Sequence, residues 1–439
     1  MGGRRLAVTE GPGVELVTIG DELLLGFTLD SNGAHLAREL AAIGVTIVRR
    51  TSVGDEAGAI AAAVREALER TGAVITTGGL GPTSDDLTKP SIAAVFGKGM
   101  RLDGEILEAL RQRWIARGWG KSLPKTNEQQ ALVPEGATIL TNRHGSAPGI
   151  WLEDARGWVA MLPGVPREMR GMFAEEVFPR VTSWAQGRVT AGDGAAAGGG
   201  PGQSVVLSTT IRTTGISESL LADTLKPIEA ELAGLSLAFL PSWPGVDLRL
   251  TSRGKPADVA RAELDRAAAR IRETVGAFVY GTDADDLAAV VLSQLRAKGW
   301  TLAVAESCTG GLVGGRVTAI PGSSHFFVGG VIAYSNEVKA THLGVGDDTL
   351  IQFGAVSEET AREMASGVRS RYRADIAVSV TGIAGPGGGS EQKPVGLVCA
   401  AVDARGTVTS ARRQMVGDRE EVRQRSAQWA LDLLRRAMV

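Results

Sequence analysis

The chain has 439 residues, more than one hydrophobic core accommodates, so two or three domains are expected. Its 44% apolar and 22% charged residues are ordinary for a soluble globular protein, and a formal net charge of −2 excludes a global basic field for nucleic acid or membrane. Two cysteines, Cys308 and Cys399, and four dispersed histidines, His35, His144, His325 and His342, argue against a disulfide scaffold and a histidine-based metal site.

The segment MGGRRLAVTEGPG has no apolar run of signal-peptide length, and no stretch of about 18 apolar residues predicts a transmembrane helix. No membrane partner and a cytoplasmic location are expected. VELVTIG (14–20) reads as a buried strand ending in Gly. SNGAHLARELAAIG (31–44) places Leu36, Leu40 and Ile43 at helical spacing. VTIVRR (45–50) is a β-branched strand candidate. EAGAIAAAVREALERTG (56–72) has Ile60, Val64 and Leu68 on one helical face and stops at Gly72. AVITTGG (73–79) completes βαβαβ, the pattern of a parallel sheet covered by helices. VAMLPGVPREMRGMF (159–173) closes this region as strand, turn and helix.

TAGDGAAAGGGPGQ (190–203) has almost no side chain to bury and reads as a linker or loop insertion. A smaller α+β unit follows. VVLSTTIRT (205–213) is a strand, SESLLADTLKPIEAEL (217–232) a helix capped by Ser217, and LSLAFLPSWPGVDLRLTS (235–252) a hairpin. ADVARAELDRAAARIRETVG (257–276) carries Val259, Leu264, Ala268 and Ile271 on one face, and AFVYG (277–281) returns to the sheet. The last region is again α/β. It has a helix (285–298), the strand TLAVAE (301–306), further strands in GGVIAYS (329–335), ADIAVSVTG (374–382) and PVGLVCAAV (394–402), and a final helix (418–438).

Two places carry chemistry. In the first region the third strand runs into GGLGPTSDD (78–86), and ligands of open parallel sheets sit beyond the carboxyl ends of strands. Gly78, Gly79 and Gly81 let backbone N–H groups approach a phosphate, and Asp85 and Asp86 supply the oxygen ligands a divalent cation takes. Asp21–Glu22 ends the first strand in the same loop layer. The alternative is a Gly-Pro turn with solvated aspartates. NEQQALVPEGATIL (127–140) and GSAPG (145–149) can line the same cleft or be ordinary turns.

IGDELLLG (19–26), VGD (53–55), GGLGPTSDD, NEQQALVPEGA (127–137) and LPGVP (162–166) together resemble the molybdopterin-binding-like domain of the CinA family, competence/damage-inducible protein A. The match covers residues 14 to about 175. The resemblance implies an ADP-ribose pyrophosphatase that uses a divalent metal, with Asp21, Gly78, Gly79, Gly81 and Thr83 at the substrate and Asp85 and Asp86 at the metal.

In the last region AESCTGG (305–311) presents Ser307, Cys308 and Thr309 between a strand and a Gly-rich helix start. That is how a nucleophile is exposed at a sheet edge, and a helix N-terminus stabilises developing negative charge. A serine nucleophile needs a base, and no histidine falls in a matching motif. AYSNEVK (333–339) offers Lys339, which acts as a base if burial lowers its pKa, with Tyr334 five residues before it. The plainer readings are an N-cap for Ser307 and a solvated surface lysine for Lys339. TGIAGPGGGSEQKPVG (381–396) is a second Gly-rich loop after a strand.

AESCTGG, PGSS (321–324), YSNEVK, GAVSEET (354–360), SVTGIAGPGGGSEQKPVG (379–396) and GDRE (417–420) resemble the CinA C-terminal domain, the nicotinamide-nucleotide amidase, over about 285–439. The resemblance implies a Ser–Tyr–Lys arrangement of Ser307, Tyr334 and Lys339 acting on nicotinamide mononucleotide without a cofactor. Cys308, Thr309, Gly310, Thr381 and Gly382 fall at the substrate, with backbone N–H groups around Cys308–Gly310 stabilising the oxyanion. The middle unit, 203–282, resembles the family's KH-like domain. It shows no GxxG clamp and no basic–aromatic interleaving, so nucleic acid is not indicated as a partner.

Two other readings compete. Short-chain dehydrogenases use Ser, Tyr and Lys, but as YxxxK, whereas Tyr334 and Lys339 stand five apart and no GxxxGxG precedes the serine. A non-enzymatic competence or DNA-damage partner is consistent with the family name, yet both end regions carry full catalytic motifs. The expected assembly is a homodimer of chains with three domains, 14–175, 203–282 and 285–439.

Overall fold

The computed structural model describes residues 12–439 apart from 84, 119, 121, 193–203 and 233. The chain divides into two compact units, one running to Leu207 with Arg253–Ala260, the other Ser208–Ser252 with Arg261–Val439.

The first unit is built on β1 (Gly13–Ile19), β2 (Thr46–Val53) and β3 (Ala73–Thr77), all parallel, with β1 in the middle. A ribbon of β4 (Met100–Leu102) and β5 (Leu132–Pro134) stands apart. The sheet continues through β6 (Thr138–Leu140), β7 (Gly149–Asp154) and β8 (Gly157–Leu162) in the order β2-β1-β3-β8-β7-β6. Strand β8 joins β3 in parallel, whereas β7 and β6 run antiparallel. The expected parallel sheet is therefore a parallel core with an antiparallel extension at one edge, an arrangement common in doubly wound sheets.

Apolar side chains cover both faces of the core strands. Leu16 and Ile75 pack with Leu36 and Leu40 of the helix Ser31–Ala42 on one side. Val17 and Val74 pack with Ile60, Val64 and Leu68 of the helix Ala57–Thr71 on the other. That second helix ends as expected at Gly72, whose φ of 65° suits a residue without Cβ. The glycine-rich stretch 190–203 lies outside the described residues from 193 onward; its first three residues close the helix Phe178–Gly192.

The second unit holds two sheets. In the four-stranded one, β9 (Ser204–Thr213), β10 (Ser236–Pro241), β11 (Val246–Pro256) and β12 (Val279–Thr282) are ordered β10-β11-β9-β12. Ser217 caps the helix Glu218–Leu225 by accepting from Leu220 N. The helix Ala257–Val275 buries Ala260, Leu264, Ala268 and Ile271, while Val259 is exposed. The buried stripe is thus one residue out of register with the expectation at its first turn. Val259 is three residues before Ala262 and five before Leu264, so it falls off the stripe that Ala260, Leu264 and Ala267 define.

The other sheet contains β13 (Leu302–Glu306), β14 (Phe327–Ile332), β15 (Ile376–Gly382), β16 (Leu397–Ala404) and β17 (Thr407–Gln414), ordered β14-β13-β15-β16-β17. The first three are parallel with β13 central, and β16 and β17 are antiparallel. Because β13 and β14 are parallel neighbours, the turn after Glu306 and the turn after Ile332 leave the sheet at the same edge. The final helix, Arg419–Ala437, starts with a capping box of Asp418 and Glu421 and buries Val422, Leu431 and Leu434.

Two candidate active sites

A cavity of about 510 Å³ lies beyond the carboxyl ends of β1, β3 and β8, lined by Gly20, Glu22, Asn32, Asp55, Gly78–Gly81, Asp85, Asp86 and Pro163–Pro166. The loops that carry the sequence motifs therefore meet at one place. Within them the residues divide into wall and scaffold.

Gly78 has φ 106°, and a Cβ there would run into the carbonyl oxygen of Ile19. Gly79 has φ 64°, and its Cβ would strike the Thr88 hydroxyl, which donates to Gly78 O at 2.9 Å. Close approach of protein to protein is what these glycines permit. Asp86 folds the loop on itself: its Oδ1 accepts from Gly81 N at 2.7 Å, and its Oδ2 accepts from Thr83 N at 2.8 Å and Thr83 Oγ1 at 2.6 Å. Thr83 and Asp86 thus hold each other. Asp21 is occupied in the same way. Its N donates to Asp55 Oδ2 at 3.0 Å, and Asp55 N donates to Asp21 Oδ1 at 3.2 Å.

Glu22, Asp55 and Asp85 also stand on the cavity wall; Asp55 shares its exchange of hydrogen bonds with Asp21, and a Thr83 hydrogen bond lowers the Asp85 pKa. Burial pushes the Asp55 carboxyl up, and the neighbouring charges of Asp21, Glu22 and Asp85 push it the same way. A donor set of crowded carboxylates fits a hard divalent cation in its chemistry, although among the described residues no three such groups converge as a ready-made coordination shell. Two further polar residues were not singled out by the sequence. Asn32, 7% exposed, donates to Gly164 O at 2.7 Å, and its Oδ1 has no partner. Lys89, 1% exposed, donates to Gln129 O and Gln130 O, each at 2.9 Å, and burial lowers its pKa to about 8. Its place in TSDDLTK, at the second residue of the helix Thr88–Val95, gives no sign of that burial.

The second site forms where β13 and β14 end. Lys339, 1% exposed, sits in the helix Asn336–Leu343 and donates from Nζ to Ser307 Oγ at 3.2 Å and to Ala333 O at 2.8 Å. Burial lowers its pKa. No carboxylate hydrogen-bonds it, so burial, which weakens the charged form, is the largest influence on this amine. The helix is placed by Ser335, whose hydroxyl caps it at Val338 N.

Cys308 is also buried, and burial pushes its thiol up to about 12. Thiolate is the reactive form, so Cys308 is inert at neutral pH. Ser307 Oγ is the hydroxyl that Lys339 reaches, and Gly382 packs against the Cys308 sulfur. Thr381 donates its hydroxyl to Ala355 O at 2.7 Å and fastens the GAVSEET loop. Thr309 is fully buried with its Oγ1 unpartnered. Tyr334 is 62% exposed, and its hydroxyl accepts from Arg419 Nη2 at 3.0 Å. Among the described residues no hydrogen bond joins it to Ser307 or Lys339. Arg419 also donates to Gly385 O at 2.6 Å, tying the GDRE and TGIAGPGGG segments together.

The helix start after AESCTGG does not offer all its N–H groups to a substrate. Glu306, 2% exposed, accepts from Gly311 N at 2.9 Å, Val313 N at 3.1 Å and Gly314 N at 2.8 Å. Ser307 N donates to Val380 O, and Gly310 N to Ser307 O. Cys308 N and Thr309 N have no backbone acceptor among the described residues, though both interact with the Cys308 thiol.

Three family models match along the chain: Probable molybdopterin binding domain over residues 15–183, Damage-inducible protein CinA KH domain over 208–281, and CinA C-terminal domain over 284–438. A CinA-like protein of Gemmatimonas aurantiaca is 58% identical over 425 residues, 97% of this chain and 96% of its own length. A putative competence-damage inducible protein of Moorella thermoacetica is 41% identical over 424 residues, covering 97% and 98% of the two chains. Among solved structures, competence/damage inducible protein CihA from Agrobacterium tumefaciens is 47% identical, over 35% of this chain and 93% of that one, with a TM-score of 0.34.

Proposed function

The chain belongs to the CinA family of competence/damage-inducible proteins, and on that footing we propose that it is a bifunctional hydrolase of pyridine-nucleotide recycling. The C-terminal domain deamidates nicotinamide mononucleotide to nicotinic acid mononucleotide and ammonia. The N-terminal domain hydrolyses the diphosphate of ADP-ribose with a divalent cation. What carries the first half is the buried Lys339 amine, 3.2 Å from Ser307 Oγ, with only neutral oxygens as hydrogen-bond partners.

In this reading Ser307 Oγ attacks the carboxamide carbon as its proton passes to neutral Lys339. The oxyanion is met by Cys308 N and Thr309 N. As the C–N bond breaks, Lys339 returns the proton to the leaving nitrogen, and ammonia departs. Water, deprotonated by the same amine, then attacks the acyl-serine. It releases the carboxylate and regenerates Ser307. Tyr334 acts at the mouth; a relay through it would need its bond to Arg419 to break.

At the other site Asp85 would hold the cation together with phosphate oxygens of the substrate, with Glu22 and Asp55 as neighbouring negative charge and Asp86 keeping the loop in shape. When bound, the cation supplies neutralisation of diphosphate charge. Gly79 and Leu80 bring N–H groups that have no protein acceptor among the described residues.

The test is a paired assay, ammonia from nicotinamide mononucleotide and AMP from ADP-ribose. Ser307→Ala is expected to abolish the first alone and Asp85→Ala the second alone. Wild-type protein that releases neither product would overturn the reading in favour of a non-enzymatic partner role.

A further inference from the structure

Away from both sites, the second unit holds a cavity of about 230 Å³ where the loops Thr214–Ser217 and Trp243–Gly245 meet the strand end at Arg413 and the final helix at Arg425, Gln428 and Asp432. None of the hydrolytic residues reaches it. Its lining is rich in donors that lack acceptors. Gln428 is 2% exposed, and its Oε1 accepts from Arg316 Nη1 at 2.7 Å while its Nε2 has no partner. Arg425 Nε is likewise buried and unpartnered. Arg413 lies over the Trp429 ring at 5.2 Å, and neither Arg413 nor Arg425 has a carboxylate partner among the described residues.

The one acid on the wall, Asp432, is already taken. It accepts from Arg435 Nε at 3.0 Å, Arg435 Nη2 at 2.7 Å and Arg436 Nε at 2.8 Å. Arg436 Nη2 is buried without an acceptor. A Cβ placed on Gly215 would lie 3.6 Å from Arg436 Nη2 and 3.7 Å from both Arg413 Nη atoms, so two guanidinium groups converge on one backbone position. Burial holds the Arg413 guanidinium below its ordinary value; the Asp432 charge opposes this, and the Arg436 charge adds to it. Unpartnered buried donors and crowded like charges are each unfavourable unless an anion completes them.

We propose that this cavity is a third small-molecule site, taking a sugar phosphomonoester, with the phosphate on Arg413 and Arg425 and the Gln428 amide as a further donor. Size selects the class. The cavity is below the roughly 300–1,000 Å³ of pockets for drug-sized ligands, which suits one phosphate and one sugar and excludes a dinucleotide. Trp243, 40% exposed at the rim and stacked by Arg316 at 5.7 Å, offers an apolar face to the sugar. Arg316 belongs to the helix Leu312–Thr318 that follows AESCTGG, so the ligand would be read by an element that adjoins the Ser307 turn.

The experiment is calorimetric titration of the full chain with ribose 5-phosphate and, separately, inorganic phosphate. A phosphate-only contact gives equal affinity for the two; the proposal expects ribose 5-phosphate to bind more tightly. Arg413→Ala with Arg425→Ala is expected to weaken ribose 5-phosphate binding at least tenfold, with far-ultraviolet circular dichroism confirming the fold. Arg413→Lys should recover part of the loss, since it restores the charge. Binding should persist in Asp85→Ala/Ser307→Ala, which alters both hydrolytic sites. No binding of ribose 5-phosphate at millimolar concentration, or an isotherm unchanged in the double arginine variant, would overturn the proposal.

Discussion

Lys339 is the residue on which the amidase reading stands, and replacing it separates base from charge. Arginine keeps a positive charge at position 339 but stays protonated at any accessible pH, so it cannot accept the Ser307 proton. Methionine keeps the volume of the stem and removes the amine. General-base catalysis contributes about 10²–10⁴ in rate, or about 3–5 kcal/mol of activation free energy. Both Lys339→Arg and Lys339→Met should therefore lose at least about a hundredfold in kcat for ammonia release.

The two variants part on stability. The folded pKa of Lys339 is lowered by burial. The unfolded chain then binds more protons between the folded pKa and 10.5, and this lysine's contribution to stability rises with pH across that window. Below the folded pKa the buried ammonium opposes folding, so Lys339→Met, which removes it, should melt at or above the wild-type temperature while inactive. Lys339→Arg, larger and permanently charged, should melt below it. The wild-type pH–rate profile should rise to a plateau reached below the ordinary lysine range. A Lys339→Arg enzyme within tenfold of wild type in ammonia release would refute the assignment of the base.

Cys308→Ala should keep most amidase activity and lose about 1 kcal/mol of stability as a small core truncation. Its thiol, held at about 12, should resist alkylation by iodoacetamide below pH 9 in the native protein. Glu306→Ala strips the acceptor from three helix-start N–H groups; at about 1–3 kcal/mol per orphaned buried donor, urea unfolding should show a loss of about 3 kcal/mol or more. Lys89, at about 8 when folded, should make stability rise by about 3 kcal/mol between pH 8 and 10.5, because the unfolded state binds more protons there. Denaturant titrations across that range should show the rise in wild type and its absence in Lys89→Met.

How much of this was legible in the sequence differs between the parts. The cores were, because their information is local and periodic. Ile60, Val64 and Leu68 at helical spacing, with Gly72 after them, define a helix that ends where it should. The meeting of Ser307 and Lys339 was legible once β13 and β14 are parallel neighbours, since their following turns then share an edge. The division of labour between Asp85 and Asp86 was not. The two are adjacent and chemically identical, and only the fold of the loop gives the N–H groups of Gly81 and Thr83 to one of them. The close approach of Gly78 to Ile19 O on another strand has no local signature, although Gly78 also lines the cavity as the glycine-rich loop implies. Glu306 was not legible because a carboxylate at the end of a strand ordinarily reaches solvent; its one signal is an acid shortly before a glycine-rich helix start.

Glu306 also explains how a lysine can serve as base there. A carboxylate close to Ser307 would be expected to hold the Lys339 ammonium by attraction and raise its pKa, the opposite of what a base at neutral pH requires. Yet the influences on Lys339 are burial, which lowers its pKa, and the Cys308 thiol, which raises it; Glu306 is not among them. Three backbone N–H groups of the following helix start take the Glu306 oxygens, and the positive end of the helix dipole sits on the same carboxylate. The acid and the helix end satisfy each other on one side of the turn. On the other side, only the neutral oxygens of Ser307 and Ala333 bond the amine. Desolvation can then act on Lys339 without an opposing counter-ion. That separation of charges across a single turn, AESCTGG, leaves the basic form of the lysine beside the serine hydroxyl.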